Sequence, residues 1–307
     1  MRINTNISSL GAQEAATNTN ISIAGSLEKL STGLKINKAS DNASGLAIAD
    51  KLRTQVTSIN QGIANGNSAI ALLQITDKSM AEQSKILDTI KSKLIQANTD
   101  TTSQAGRTAI AKDVTKLLQQ LNNIGEQTNY NGTTLLQAKR TTADASKEAN
   151  LTAARSAKGG LSFQIGEGTQ DLIKTKTINS NVAGLKLTTL AKAVRSGAKV
   201  SAGATAGTTG VFTRALASAG QKAIDTAITT LNGYRGDIGS TQNQVESAVR
   251  NLMTQSTNIK AAESVIRDVD YAEESANFNK LNIISQAGSY AISQSNATQQ
   301  NVLRLLQ

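Results

Sequence analysis

Apolar residues recur at the spacing of a helix along most of the chain. From residue 45 to residue 94, alternate steps of three and four reach an apolar side chain at ten of fifteen positions. The same steps from residue 224 to residue 266 do so at nine of thirteen positions, and a third stripe runs from Ile110 to Ile124. This pattern predicts three long helices that share one coiled-coil-like bundle core. The predicted core residues are Leu52, Val56, Ile59, Ile63, Ile70, Leu73, Leu87, Ile110, Val114, Leu117, Leu121, Ile228, Leu231, Ile238, Val245, Leu252 and Ile259.

Both ends of the chain carry weaker amphipathic stripes. A polar stretch at residues 17–20 separates two of them near the amino end, and Ser, Asn and Gln interrupt the one near the carboxyl end. Short helices of this polarity are marginal in water, so we expect both ends to order only when packed against a partner. The apolar residues of these stripes include Ile3, Ile7, Leu10, Leu27, Leu30, Leu34, Leu281, Ile284, Val302, Leu305 and Leu306.

The middle of the chain has a different pattern. Residues 129–132, Asn-Tyr-Asn-Gly, predict a turn. Residues 161–165 alternate with period two, and residues 172–178 read as a partner strand beyond a glycine turn. Residues 198–210 are rich in Gly, Ala, Ser and Thr and predict a loop. The expected fold is therefore mainly α, a long-helix rod or coiled-coil bundle with a small β-hairpin region in the middle of the chain.

Composition excludes several kinds of catalytic and metal site. The 307 residues include no His, Cys, Pro or Trp, and more than a third are Ser, Thr, Asn or Gln. Without His or Cys the chain has no Ser-His-Asp triad, no Cys nucleophile and no N/S zinc site. We therefore expect no enzyme, no cofactor and no metal site. The absence of Pro suits long uninterrupted helices, whose interiors Pro would break.

The net charge of +10 is concentrated in one part of the chain. Residues 139–199 hold eleven Lys and Arg against four acids, whereas the predicted helices are close to neutral. This segment has one aromatic residue, Phe163, and therefore offers nucleic acid no stacking platform. A solvated outward face explains the charge better than a basic coiled-coil nucleic-acid binder does.

We expect neither a membrane span nor a cleaved secretory signal. No apolar run approaches the length of a membrane span. The first residues lack a basic region followed by an apolar core, so we expect export without a cleaved secretory signal.

Four segments carry a family resemblance. Residues 30–50 read LSTGLKINKASDNASGLAIAD, and residues 129–136 read NYNGTTLL. Near the carboxyl end, residues 268–274 read DVDYAEE and residues 300–306 read QNVLRLL. In order and position these segments resemble the signatures of bacterial flagellin, covering roughly residues 1–138 and 215–307. The closing residues resemble the epsilonproteobacterial branch of that family.

The resemblance implies a non-enzymatic structural subunit that self-assembles into the helical filament of the bacterial flagellum for motility. Residues 1–40 plus 268–307 would form an inner coiled-coil domain, in which the apolar end residues named above make the assembly contacts. Residues 41–140 plus 215–267 would form a helical-bundle domain, and residues 141–214 a short variable region with the β-hairpin and surface loops. Implied partners are further copies of the chain, an export chaperone, the filament cap and hook-junction proteins, with no nucleic acid and no membrane insertion. The subunit would be secreted through type III export.

Two departures from the family pattern lead to further expectations. The middle region is too short for a separate globular outer domain, which predicts a thin, comparatively smooth filament. In many flagellins a helical run contacts a vertebrate innate immune receptor; here Thr89, Lys91 and Lys93 occupy that run, and Asp113 keeps the carboxylate of the adjacent helix. Losing a bidentate Arg and placing Lys93 at an apolar position predict weak or absent receptor binding.

The sequence leaves two questions open. Middle-segment hydroxyls are candidate O-glycan acceptors, the alternative being an unmodified polar loop; they include Thr141, Thr142, Ser146, Thr205, Thr208 and Thr209. The alternative function within the same class is a hook–filament junction protein, which shares the end signatures but does not form long polymers.

Overall fold

The computed structural model describes residues 6–137, 159–199 and 211–305, and most of them are helical. The helices are α1 (Ile7–Thr32), α2 (Ala43–Ala97), α3 (Gln104–Gln127), α4 (Thr188–Lys199), α5 (Arg214–Arg267) and α6 (Tyr271–Leu305). Four short strands, β1 (Asn129–Tyr130), β2 (Thr133–Thr134), β3 (Ser162–Gln164) and β4 (Leu172–Lys174), form two antiparallel pairs. The mainly α fold with a small strand pair in the middle of the chain is confirmed.

Local capping explains where several helices begin and end. The Asn6 side chain accepts a hydrogen bond from the Ser9 N–H at the start of α1. Gly33 ends α1 with a left-handed backbone, φ +74°, and its N–H donates to the Lys29 carbonyl. Ser103 caps α3 by accepting from the Gly106 N–H. The connection between α2 and α3 is therefore only residues 98–103.

The polar stretch at residues 17–20 does not interrupt α1. The hydroxyls of Thr17 and Thr19 donate to the carbonyls of Gln13 and Ala15, one helical turn earlier. These side chains therefore satisfy their own polar groups on the helix surface. The two stripes predicted for the amino end consequently belong to one continuous helix.

Residue contacts divide the chain into two compact units. The first comprises residues 1–57 and 254–307, and the second comprises residues 58–253. These boundaries lie within α2 and α5, well inside the boundaries expected at residues 40/41 and 267/268. The contact boundaries cut continuous helices, whereas the sequence-based ones followed the loops between helices.

The second unit contains the main apolar core. Ten of the predicted core residues are buried: Val56, Ile59, Leu73, Leu87, Ile110, Val114, Leu121, Leu231, Ile238 and Val245. Val56 alone among these ten belongs to the first unit. Ile63, Ile70, Leu117, Ile228 and Leu252 are partly buried and pack against the core of the second unit. Leu52 and Ile259 are half-buried and belong to the first unit.

The expectation that residues 141–214 hold only a hairpin and surface loops is wrong for the described part. Residues 188–199 form α4, which packs against α3, and Leu190 and Val194 enter the core. Val182 and Phe212 are also fully buried. Apolar positions 187, 190 and 194 have helical spacing, so the periodicity was present but shorter than the three long stripes. Of the predicted loop at 198–210, α4 takes the first two residues, and the rest lies outside the described residues.

The two strand pairs are shorter than the alternation suggested. Ser162, Phe163 and Gln164 pair with Lys174, Ile173 and Leu172, so β4 ends well before residue 178. The predicted turn at residues 129–132 is confirmed as a hairpin, with Asn131 at φ +48° and Gly132 at φ +75°. Two successive positive φ values are typical of the tight turn that Asn-Gly favours between antiparallel strands.

Candidate functional site

Helices α1 and α6 of the first unit pack side by side in antiparallel orientation. Polar side chains join them at three levels along the pair. The Asn6 amide donates to the carbonyl and hydroxyl of Ser295 at 3.4 and 3.3 Å, and the Ser285 hydroxyl donates to the Asn20 amide oxygen at 3.3 Å. The third level joins Ser26 to Glu274. These polar contacts fix the register of the two helices.

Ser26 and Glu274 form the shortest of these contacts. Ser26 is the buried residue of α1, with 3% of its surface exposed, and its hydroxyl donates to Glu274 Oε1 at 2.5 Å. The Asn277 amide donates to the same oxygen at 3.4 Å. The Ser26 hydrogen bond, more than any other influence, holds the pKa of Glu274 below its ordinary value. The charged form of Glu274 therefore stabilises the α1–α6 pair.

Large apolar side chains of the same two helices face outward. Ile21 is 66% exposed and Ile283 67% exposed, although both are large aliphatic residues. We call the exposed apolar residues of α1 and α6 the apolar face: Ile7, Leu10, Ile21, Leu27, Tyr271, Ile283, Ile284 and Tyr290. Within this part of the chain polar side chains make the hydrogen bonds between the two helices, and several large apolar side chains of both helices remain exposed. An exposed apolar surface of this extent marks an interaction site.

The predicted assembly residues fall into three groups. Ile7, Leu10, Leu27 and Ile284 are in the apolar face, whereas Leu30, Leu34 and Leu281 are half-buried. Val302 and Leu305 belong to α6, but their side chains are outside the described part, as are Ile3 and Leu306.

Sequence reasoning missed half of the apolar face, namely Ile21, Tyr271, Ile283 and Tyr290. The signal was present, because Ile21 follows Ile7 by two heptads and Tyr290 follows Ile283 by one.

Two of the signature segments meet where α1 and α5 end. The Lys35 N–H donates to the Arg267 carbonyl at 2.7 Å, and the Val269 N–H donates to the Gly33 carbonyl at 3.0 Å. A Cβ at Gly33 would lie 2.9 Å from the Tyr271 hydroxyl. Glycine is therefore favoured here both by the left-handed backbone and by the close approach of the Tyr271 side chain. These backbone hydrogen bonds join the carboxyl ends of α1 and α5 within the first unit.

Acidic residues of the signatures form caps and turns. The Asp41 carboxylate accepts from the backbone N–H groups of Lys38 and Asn37, which hold its pKa below the ordinary value. Asp270 accepts from the N–H groups of Ala272 and Glu273 at the start of α6. Both carboxylates therefore shape the backbone in the way that Asp does at turns and helix starts.

Residues 89–93, which depart from the receptor-contact run of many flagellins, lie on α2 in the second unit. Lys91 Nζ lies 2.6 Å from Asp225 Oδ1 on α5, and Lys93 Nζ lies 3.2 Å from Asp113 Oδ2 on α3. The Thr89 hydroxyl donates to the Lys85 carbonyl of its own helix. Both lysines and Asp113 are thus engaged in ion pairs within the chain.

The described residues contain no group of three or more Asp or Glu placed to hold a metal ion. None of the described helices has the length and apolar character needed to cross a membrane. The candidate O-glycan acceptors Thr141, Thr142, Ser146, Thr205, Thr208 and Thr209 all lie outside the described residues.

Comparisons with known proteins agree with this architecture. Residues 3–141 match the family model "Bacterial flagellin N-terminal helical region", and residues 221–306 match "Bacterial flagellin C-terminal helical region". The chain is 32% identical to the flagellin of Bacillus subtilis and 29% identical to flagellin A of Helicobacter pylori. The first alignment covers 100% of both chains, and the second covers 99% of each.

A solved structure of a flagellar hook-associated protein from Vibrio parahaemolyticus has a similar fold. The superposition gives a TM-score of 0.57 with 14% identity and covers 74% of this chain and 99% of that chain.

Proposed function

The chain belongs to the bacterial flagellins, the structural subunits that self-assemble into the flagellar filament used for motility, and we propose that the apolar face forms its principal subunit contacts. The observation that carries this proposal is the exposure of Ile7, Ile21 and Ile283 on two helices, α1 and α6, that polar side chains join to each other. The partner is another copy of the same chain, as self-polymerisation requires.

The energetics favour such contacts. Covering one large aliphatic or aromatic side chain contributes about 1.5–3 kcal/mol before the entropy of association is subtracted. Eight side chains of this kind on each subunit are sufficient to drive association of copies. A contact between different surfaces of successive copies does not close, so it propagates as an open helical polymer.

The test replaces two exposed isoleucines of the apolar face. We expect Ile21→Gln with Ile283→Gln to leave the purified subunit folded but to raise the critical concentration for polymerisation by about tenfold or more. The matched control is Ile75→Gln with Ile95→Gln, which makes the same change at exposed isoleucines of the second unit. Pelleting of polymer and electron microscopy measure the result.

Equal effects of the two double variants would overturn the proposed contact. Normal polymerisation of the Ile21→Gln, Ile283→Gln protein would do the same. The junction-protein alternative is tested separately with the unmodified chain: monomer added to sonicated filament seeds elongates them if it is a filament subunit, and stops after a short addition if it is a junction protein.

The family also suggests the remaining organisation. We propose an inner layer near residues 1–40 and 268–307, a helical layer around it, and an outer face from the short middle region. Export of the unfolded chain through a type III apparatus, assisted by an export chaperone, would deliver it beneath the filament cap beyond the hook-junction proteins.

We further propose that the vertebrate innate immune receptor recognises this flagellin weakly. Lys93 is ion-paired with Asp113, and Thr89 carries no positive charge. The paired N–H donors that an Arg at position 89 would present to the receptor are therefore missing. Thr89→Arg with Lys93→Leu should raise receptor signalling by about tenfold or more, if each restored contact contributes about 1–3 kcal/mol. A reporter-cell assay with purified monomer measures it, with Lys78→Leu on the exposed side of the same helix as the matched control. An unchanged response would contradict the proposal.

A further inference from the structure

Glu14 places a carboxylate within the apolar face. It follows Leu10 by four residues and precedes Ile21 by seven, so the three side chains lie on one stripe of α1. Glu14 is exposed and makes no ion pair or hydrogen bond in the described part of the chain. A copy that covers the apolar face therefore also covers this carboxylate, which costs free energy unless the covering surface supplies a cation.

Arg267 has the complementary property at the carboxyl end of α5. Its side chain is half-buried, and its Nε atom is buried without a hydrogen-bond partner in the described part of the chain. Within the same described ranges it forms no ion pair, although Glu263 lies one helical turn earlier on α5. The guanidinium is always charged, and burying one of its donors without a partner costs free energy. An acceptor supplied by another molecule would remove this cost.

The surroundings of Arg267 are also uncovered. Val265, two residues earlier, is 86% exposed, the highest value among the large apolar side chains that the structure describes. Tyr271, four residues later, is 56% exposed and belongs to the apolar face. The Val269 N–H donates to the Gly33 carbonyl, which holds this segment against the end of α1. The surface around Arg267 is therefore continuous with the apolar face, and one partner can cover both.

Glu14 and Arg267 of one copy lie far apart along α1. Arg267 is at the carboxyl end of that helix, since the Lys35 N–H donates to the Arg267 carbonyl. From Glu14 to Thr32, the last residue of α1, the helix rises about 27 Å. An ion pair between the two side chains therefore requires two copies that are displaced from each other along α1. Different surfaces of the two copies then meet, as an open helical polymer requires.

We propose that Glu14 of one copy forms an ion pair with Arg267 of the next copy in the polymer. This inference rests on the proposed role of the apolar face and names a charged contact within it. The pair supplies a cation to the carboxylate that assembly covers and an acceptor to the half-buried guanidinium, so each residue offsets the desolvation cost of the other. It also fixes the displacement between copies, because charge pairs set the register of an interface more sharply than apolar contacts do.

The experiment reverses each charge separately in the full chain, as Glu14→Arg and as Arg267→Glu. Each variant alone should have a critical concentration for polymerisation that is higher by about tenfold or more, because like charges then face each other in every contact. An equimolar mixture of the two variants should polymerise again, because in an alternating polymer every contact joins opposite charges. Circular dichroism first shows that each variant is folded, and pelleting and electron microscopy measure the polymer.

The matched control makes the same charge reversals at other exposed residues, as Asp88→Arg and as Lys260→Glu. Each control variant should change the critical concentration by less than about threefold. A third variant, Glu263→Gln, removes the acid one turn before Arg267 and should also polymerise normally.

Normal polymerisation of either Glu14→Arg or Arg267→Glu would overturn the ion pair. So would a mixture that polymerises no better than its components, equal losses in the control variants, or a loss in Glu263→Gln as large as that in Arg267→Glu. These outcomes are distinct from a failure of the apolar face, because the Ile21→Gln, Ile283→Gln variant keeps every charge. If that variant polymerises poorly while the charge reversals polymerise normally, the apolar face stands and the ion pair does not.

Discussion

Glu274 is the residue whose charge matters most directly to the pairing of α1 and α6. Its folded-state pKa lies below the ordinary value because the buried Ser26 hydroxyl donates to it. A lowered pKa means that its contribution to stability is complete above the unfolded value, near 4.5, and is lost as the pH falls through the lower folded value. We therefore predict that acid below about pH 4.5 loosens the α1–α6 pair and dissociates filaments. Pelleting of filaments across a series of pH values measures this.

The matched pair of variants separates this effect from general acid denaturation. Glu274→Gln keeps a side chain of the same size that does not titrate, so filaments of this variant should be weaker at neutral pH and depend less on acid. Glu273→Gln removes a neighbouring exposed carboxylate of the same helix turn and should leave the acid midpoint in place. A midpoint that moves equally in both variants would refute the role assigned to Glu274.

Buried amides show what residue patterns could not predict. Gln83 is fully buried on α2, and its amide donates to the carbonyls of Leu121 and Ser180, both at 3.1 Å. Nearby, the Val182 N–H donates to the Asn122 side chain at 2.8 Å. A search for apolar periodicity assigns Gln and Asn to the surface, because burying them costs free energy unless partners are present. Those partners come from α3 and from a segment almost a hundred residues away, so they become visible only in three dimensions.

At the scale of elements, glycines determine how closely the strand pair approaches α2. A Cβ at Gly62 would lie 1.9 Å from the Ile165 carbonyl oxygen, far inside any permitted contact with the backbone. One turn later, the Asn65 amide donates to the Gln164 carbonyl at 3.0 Å. We predict that Gly62→Ala displaces the β3–β4 pair and destabilises the second unit by about 1–3 kcal/mol, despite the better helix propensity of alanine. Thermal unfolding followed by circular dichroism measures the change.

Gly233→Ala is the control for helix propensity. Gly233 also lies inside a long helix, α5, but a Cβ added there would have no neighbour within 4 Å outside its own helix backbone. The same substitution there should stabilise the protein by about 0.5–1 kcal/mol. Opposite signs at the two positions would identify the close backbone contact as the cause, and stabilisation at both would refute it.

Length explains which elements were predictable. Helices α2 and α5 span 55 and 54 residues, so their apolar stripes repeat often enough to be unmistakable. Helix α4 has 12 residues, and the stripe of Leu190 and Val194, with Leu187 just before the helix, is too short to be told from a buried strand or loop. The β3–β4 pair was located by alternation, but each strand has only 3 residues. At the next position the Leu161 N–H donates to the Thr175 hydroxyl at 2.8 Å instead of to a backbone carbonyl.

At the scale of the whole molecule, the sequence predicted the apolar residues but not always which of them would be covered. Leu73 and Leu87 on α2 and Val114 on α3 are buried within the chain, whereas Ile7 and Leu10, also at helical spacing, remain exposed. Hydrophobicity alone does not distinguish a core from a subunit contact. The distinction requires the structure, in which polar contacts of Ser295 and Ser285 join α6 to the amino-terminal helix while Ile7 and Leu10 stay exposed.

The chain as a whole contains no Pro, and this bears on how it folds. Peptide bonds before Pro reach the cis form in about 10–30% of unfolded molecules, and their return to trans takes tens of seconds or longer. If the chain is exported unfolded, as proposed above, the absence of such bonds avoids this delay in refolding. Gln104 offers a position where Pro is structurally tolerated: it is the first residue of α3, and the preceding Ser103 is extended, with φ −64° and ψ 161°.

We therefore predict that Gln104→Pro leaves equilibrium stability nearly unchanged but adds a slow refolding phase. Its amplitude should be about 10–30% and its time constant tens of seconds. The control is Gln104→Ala, which loses the same side-chain hydrogen bond to the Phe212 carbonyl without creating a bond before Pro. Double-jump stopped-flow refolding, with and without a prolyl isomerase, measures the phase, and polymer growth started from unfolded chains should be delayed to the same extent. If the Pro variant refolded and polymerised as fast as the Ala variant, the absence of Pro would have no kinetic role in this chain and would reflect helix continuity alone.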